Sequence, residues 1–411
     1  MKGLRIGFIV LAAAVFTFGL SGMAFAFHSG GVAECMGCHN IHDAASTNGL
    51  LQASDASSTC TNDCHGNAGA GSYHIVSLDA GPGVTPRQMT PGGDFGWLLK
   101  TFTYDNRGLV TELGERHGHN VVMADRPGFV ADDNNDIAPG GTMDATTFSC
   151  TSCHDQHGKL RRLSTGAFAI TGAPIISSGS YTNNADPAAG QAVGAYRLLR
   201  GPGSTGNPTG VTFTTVFNAV APSTYNRSET FSQTKVAYGQ GTSEWCGSCH
   251  GDMLDATSPK HTHPVSAVLS GGSDIFTNYN TYTGSGLTGT SGYDSLVPFQ
   301  LANGTTYAQM RTFATGGAAT PATGSDRVTC LSCHRAHASG FEYMLRWNGT
   351  GNEFIAVDGV WPGTDSSSSI ATAAKYSQGR TVAETTRAYN DKPMSYASYQ
   401  RSLCNKCHVK D

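Results

Sequence analysis

The chain has 411 residues, with 26 Lys and Arg against 30 Asp and Glu, a formal charge of −4 and only 14% charged residues, where about 25% is usual. No basic stripe is available to neutralise phosphates, which excludes nucleic-acid binding. Glycine, at 52 residues, stands well above its usual share of about 7%, so burial of side chains alone would struggle to offset the conformational entropy of so long a chain.

The N-terminus carries Lys2 and Arg5, an apolar run from Ile6 to Leu20 and Ala24-Phe25-Ala26. This is the order of a secretory signal peptide, residues 1–26, cleaved after Ala26. The mature chain, residues 27–411, is then 385 residues with a charge of −6. No cysteine stands at position 27 for a lipid anchor, and no later apolar run is long enough to span a bilayer.

Eight residues into the mature chain comes Cys35-Met36-Gly37-Cys38-His39, a C-x-x-C-H signature of c-type haem attachment. It recurs at Cys150/Cys153/His154, Cys246/Cys249/His250, Cys330/Cys333/His334 and Cys404/Cys407/His408, with a variant one residue longer at Cys60/Cys64/His65. In chain order these are sites 1 to 6: 35–39, 60–65, 150–154, 246–250, 330–334 and 404–408. Twelve cysteines thus form six close pairs, each followed at once by histidine. A zinc ribbon has no use for that histidine, and a disulfide scaffold would show varied spacings in a short chain. Two thioethers and a proximal imidazole per site explain both, and six haem c groups supply the missing core. At site 2 a backbone bulge would take up the extra residue.

Proximal histidines are separated by 26, 89, 96, 84 and 74 residues, so no fixed repeat governs the chain. The shortest gap makes sites 1 and 2 neighbours. The intervening segments hold turn residues, as in Ala80-Gly81-Pro82-Gly83 and Gly201-Pro202-Gly203-Ser204. Val211–Phe217 alternates as a short strand would, and Tyr396–His408 is expected to be a helix presenting site 6. Trp245 is read equally as a side chain packed on its haem or as core. Asp132–Asp136 begins like a calcium loop but lacks its glycine and glutamate, so it reads as a solvated turn. The expected fold is mostly coil, with short helices and few short strands wrapped around a linear haem array in one unit.

Fifteen histidines less the proximal His39, His65, His154, His250, His334 and His408 leave nine. His42, His157 and His337 each lie three residues beyond a proximal histidine, a spacing that suits a neighbouring haem better than their own. With His74, His119 and His263 they are the distal candidates; His28, His117 and His261 are reserves. Ten methionines show no comparable placement. Paired imidazoles close every iron to substrate, which favours electron transfer over catalysis and implies low potentials. The competing functions are a multihaem reductase with an open haem and a monomeric periplasmic shuttle.

Phe27–Cys35, Met89–Trp97, Val236–Gly241, Cys330–Phe341 and Leu403–His408 resemble the OmcS-type hexahaem cytochromes of metal-respiring bacteria over nearly the whole mature chain. The departure is Cys60–Cys64, where that family has the two-residue spacing. The resemblance implies a protein exported through the periplasm to the outer surface, which polymerises head to tail with its haems in a line alternating between parallel-stacked and T-shaped pairs. It implies that His42 ligates a haem of the adjacent subunit, and that electrons pass to extracellular acceptors such as metal oxides, to partner cells or to other cytochromes.

Overall fold

The computed structural model describes residues 35–46, 49–66, 74–223, 235–260, 265–269, 273–282, 292–316, 321–349, 355–357, 360–366, 376–391 and 401–408. The leader 1–26 and His28, His261 and His263 lie outside them. The described chain is mostly turn and coil, as expected, with helices of four to nine residues and strands of two to four.

Helices collect at the cysteine motifs: α1 (Cys35–Cys38), α2 (Ala56–Cys60), α3 (Cys150–Cys153), α4 (Thr242–Cys246), and far down the chain Arg401–Cys404. Of the helix expected over Tyr396–His408, residues 405–408 form a turn instead and residues 396–400 lie outside the described residues. Caps rather than length hold them. Asp55 accepts the Ser58 N–H at 2.8 Å at the start of α2, and Ser149 with Ser152 forms a capping box around α3. At site 2 the extra residue is absorbed by a π-turn over Thr61–His65, in which the Gly66 N–H reaches the Thr61 carbonyl at 2.9 Å.

The strands form separate small sheets. β1 (Phe102–Asp105) and β2 (Leu109–Glu112) make a hairpin. β3 (Leu160–Leu163) is flanked by β4 (Phe168–Ile170) and β5 (Ala192–Gly194), all antiparallel. β6 (Ala219–Val220) pairs with β7 (Ala237–Tyr238). Val211–Phe217 is not a strand. Its alternating aromatics instead bracket Trp245: Phe213 stacks at 4.9 Å and Phe217 meets it edge-on at 5.5 Å. Trp245 is partly buried against this cluster and also donates Nε1–H to the Arg200 carbonyl at 2.7 Å. Asp132 accepts the Asn134 N–H at 2.8 Å in an exposed turn, as its sequence suggested.

The main apolar cluster carries motif cysteines, Cys150, Cys153, Cys249, Cys333 and Cys407, packed against it. Trp97 is fully buried and donates Nε1–H to Gln88 at 2.7 Å. Tyr279 and Tyr293 pack edge-on against Phe299, and Tyr293 against Phe313, at 5.3–5.5 Å. Between these clusters Arg380 lies over Phe102 at 4.2 Å and is paired with buried Glu112, which also takes the His117 Nε2–H at 2.7 Å. Burial alone would raise the Glu112 carboxyl, but Arg380 and His117 hold it below the usual range.

Stability from Glu112 is therefore complete above the unfolded value of about 4.3 and lost as pH falls through the lower folded value. Glu112→Gln leaves Arg380 buried without its counter-charge, and a loss of about 3–5 kcal/mol at pH 7 is expected in denaturant titrations. The gap between the two proteins should shrink below about pH 4.

Candidate haem-binding sites

None of the twelve cysteines is joined to another in a disulfide. Among the described residues no group of three or more His, Cys, Asp or Glu converges as a metal-binding cluster, so a zinc knot finds no support there. Each cysteine pair instead sits on or beside a short helical turn that leads directly into its own histidine.

Those imidazoles are aimed by the backbone. His39 donates Nδ1–H to the Gly49 carbonyl at 2.6 Å, His154 to Arg197 at 2.8 Å, His250 to Pro139 at 2.7 Å and His334 to Tyr343 at 2.7 Å. A carbonyl can only accept, so the proton resides on Nδ1 and Nε2 keeps its lone pair for a metal. His119 is held the same way by the Ala336 carbonyl at 3.0 Å.

Three pairs of imidazoles face one another. Ring centres lie 6.4 Å apart for His39 and His157, 6.1 Å for His250 and His119, and 6.4 Å for His154 and His337. A metal–imidazole bond of about 2.0 Å, with the ring centre roughly 1 Å beyond the nitrogen, separates two axial rings by roughly 6 Å. The spacing therefore fits one iron between each pair. Burial pushes His119 and His154 down to about 4 and His337 to about 3, so these rings are neutral and able to donate at pH 7. The pairing runs backwards: His157 follows site 3 but faces site 1, and His337 follows site 5 but faces site 3.

At site 2, burial and then His74 push His65 down to about 4. His74 is buried, with Nε2 3.1 Å from Ser77 Oγ and 3.2 Å from Asp94 Oδ2. Asp94 also accepts the N–H groups of Ser77, Gln88 and Gly96 at 2.7–3.0 Å. Nothing in the sequence marked this carboxylate, whose partners stand 2 to 20 residues away. His117 is committed to Glu112 and is structural. His42 is exposed, on a turn where Asn40 Oδ1 accepts the N–H groups of His42 and Asp43 at 3.1 Å. Met36 and Ile41 beside it are 78% and 77% exposed. His408 is exposed, while Lys406 within the same motif is buried and donates to the carbonyls of Tyr279, Tyr282 and Gly292 at 2.9–3.2 Å.

The six sites follow one another in chain order. The Cys60 thiol contacts that of Cys150, and Cys246 that of Cys330. Burial and then Cys64 raise the Cys38 thiol; burial and then Cys249 push Cys153 up to about 12; burial and then Cys407 do the same to Cys333. Sites 2 and 3, and 4 and 5, are thus in contact, and every site lies within electrostatic range of the next.

Site 4 includes a close approach that only glycine permits. A Cβ on Gly141 would lie 1.7 Å from the Cys249 carbonyl, in the turn whose Pro139 carbonyl holds His250. Gly141→Ala is expected to cost about 1–3 kcal/mol in thermal or denaturant melts. Gly172→Ala, where a Cβ meets nothing within 4 Å, should be near neutral.

No family model matches the sequence. The C-type cytochrome OmcS of Geobacter sulfurreducens is 46% identical over 446 aligned positions covering all of both chains. A cryo-EM structure of OmcS nanowires from that organism superposes with a TM-score of 0.78, and one of its outer membrane cytochrome S filament with 0.79. Each is 45% identical and covers 93% of this chain and 100% of its own. Among the described residues no helix is long and apolar enough to cross a membrane. With likeness of this degree along the full length of both sequences, the chain belongs to the OmcS family of c-type cytochromes.

Proposed function

We propose that residues 27–411, freed of the leader 1–26, form one unit that carries electrons outside the cell through six haem c groups, as a subunit of a polymeric filament. The chain is an electron-transfer protein and not an enzyme. The observation that carries this reading is the set of facing imidazoles 6.1–6.4 Å apart, which leaves no open position for substrate at those sites.

Bound haem supplies reversible one-electron exchange at iron. The chain's own residues do the rest. The cysteine pairs Cys35/Cys38, Cys60/Cys64, Cys150/Cys153, Cys246/Cys249, Cys330/Cys333 and Cys404/Cys407 tether the six groups. His39, His65, His154, His250, His334 and His408 are the proximal ligands. His157, His337 and His119 are distal at sites 1, 3 and 4. His74 serves site 2 through Nδ1, since Asp94 and Ser77 hold its Nε2. His263 is assigned to site 6.

His42 completes the set. His157 and His337 each serve the site two places back along the chain, and the same step takes His42 to site 5 of an adjacent subunit. Such a head-to-tail bond is heterologous and generates an open polymer, with exposed Met36 and Ile41 covered in the contact. Export through the periplasm and delivery to minerals, partner cells or other cytochromes complete the proposal.

The mass of the mature protein is expected to show six attached macrocycles, and EPR of the oxidised filament only low-spin signals. One high-spin haem in the wild type would sink the bis-histidine assignment. His42→Ala should weaken subunit association at least tenfold, about 1.4 kcal/mol, as read by sedimentation and electron microscopy. It should also expose one high-spin signal, from site 5; unchanged fibres and spectra would refute the cross-subunit bond.

A further inference from the structure

Sites 1, 3 and 5 share a cradle that their spacing in the sequence conceals. At each, two successive residues take left-handed backbone conformations: Gly49 and Leu50 (φ 77° and 54°), Arg197 and Leu198 (48° and 57°), Tyr343 and Met344 (60° and 59°). The carbonyl of the first accepts the proximal Nδ1–H. The carbonyl of the second accepts the N–H of the residue after that histidine, from Asn40 at 2.8 Å, Asp155 at 2.7 Å and Arg335 at 2.8 Å. Two positions on, a long polar side chain closes the cradle. The backbone N–H of Gln52, Arg200 or Arg346 binds the carbonyl of the second cysteine at 2.8–3.0 Å. Its side chain binds the carbonyl of the residue after the first cysteine: Gln52 Nε2 on Met36, Arg200 Nε on Thr151 at 2.7 Å, Arg346 Nε on Leu331 at 2.7 Å. Left-handed non-glycine residues cost roughly 1–3 kcal/mol each, and three recurrences of the pair mark a device rather than an accident.

The cradles are alike in geometry and unlike in charge. Site 1 is closed by exposed, neutral Gln52 and followed by neutral Asn40. Site 3 has Arg200, 2% exposed, with Arg197 beside it, offset by Asp155. Site 5 has Arg346 and Arg335, 0% and 1% exposed, while nearby Glu342 is taken by Arg116 at 3.1 Å. Counted over Gln52 and Asn40, over Arg200, Arg197 and Asp155, and over Arg346 and Arg335, the formal charge of the cradle's own side chains rises from 0 to +1 to +2. Buried charges act through a low effective dielectric and are poorly screened by salt.

We infer that Gln52, Arg200 and Arg346 are equivalent positioning residues whose charge, with that of the residue following each proximal histidine and, at site 3, of Arg197, grades the reduction potentials of sites 1, 3 and 5 upward in that order. This rests on haem occupancy of those sites. Each reduction is one electron taken from a neighbouring site with no proton or ligand exchanged, so the site loses one unit of positive charge and a buried cation favours that state. Gln52 shows that a neutral amide can make the same hydrogen bonds, which separates the charge from the clamp.

The test is spectroelectrochemical titration of haem-complete wild type, Arg346→Gln and Gln52→Arg. Arg346→Gln should lower one midpoint of six by threefold or more in the one-electron equilibrium, roughly 28 mV at 59 mV per tenfold. Gln52→Arg, at an exposed position where solvent screens the added charge, should raise one midpoint by a smaller step. Unchanged midpoints in either variant with six macrocycles by mass overturn the grading. A wild type lacking the macrocycles would instead overturn the haem assignment beneath it. If Arg346→Gln does not fold, the Gln52→Arg arm decides alone.

Discussion

The bond between an imidazole Nδ1–H and a backbone carbonyl is the constraint to which the rest of the structure answers. An imidazole on a short, glycine-rich loop would otherwise turn freely, and a ring that turns cannot keep Nε2 on a metal axis. The carbonyls that stop it come from nearby, as Gly49 does for His39, or from far along the chain, as Pro139 does for His250, 111 residues away. Much of the coil can be understood as the route by which a carbonyl arrives at a ring. Left-handed backbone at Arg197 and Tyr343 points it there.

A scaffold with so little regular structure must satisfy its buried polar groups one at a time. Asp94 does this for three backbone N–H groups and His74 together; burial would raise its carboxyl, but His74 and those N–H groups hold it low. Lys100 and Glu384, both buried, pair at 2.7 Å at the start of Val382–Ala388, and Lys406 ties site 6 to three carbonyls.

Continuity of the sites follows from the same loops. Ser57 Oγ, one turn before Cys60, accepts the Cys150 N–H at 3.2 Å, and Ser243 Oγ, one turn before Cys246, accepts that of Cys330 at 3.2 Å. Sites 2 and 3, and 4 and 5, are thereby locked in contact by one repeated hydrogen bond. A row of cofactors held this way has ends at sites 1 and 6, and the exposure of Met36, Ile41, His42 and His408 there suits a row continued by the next subunit.

The mostly coil fold was legible from composition, the family from segments that resemble its members, and the six Cys-Cys-His motifs from spacing, because covalent haem chemistry demands its cysteines and histidine adjacent in the chain. Val211–Phe217 was misread, because its alternation serves aromatic contacts with Trp245 and not a neighbouring strand. Which histidine faces which, and the partner of each Nδ1, were settled only in three dimensions. The Gln52, Arg200 and Arg346 clamps stand 13, 46 and 12 residues beyond their histidines, so no period betrays them. Bonds made within a motif are written in local sequence; bonds made by a backbone carbonyl are not, because every residue has one and only the path of the chain selects it.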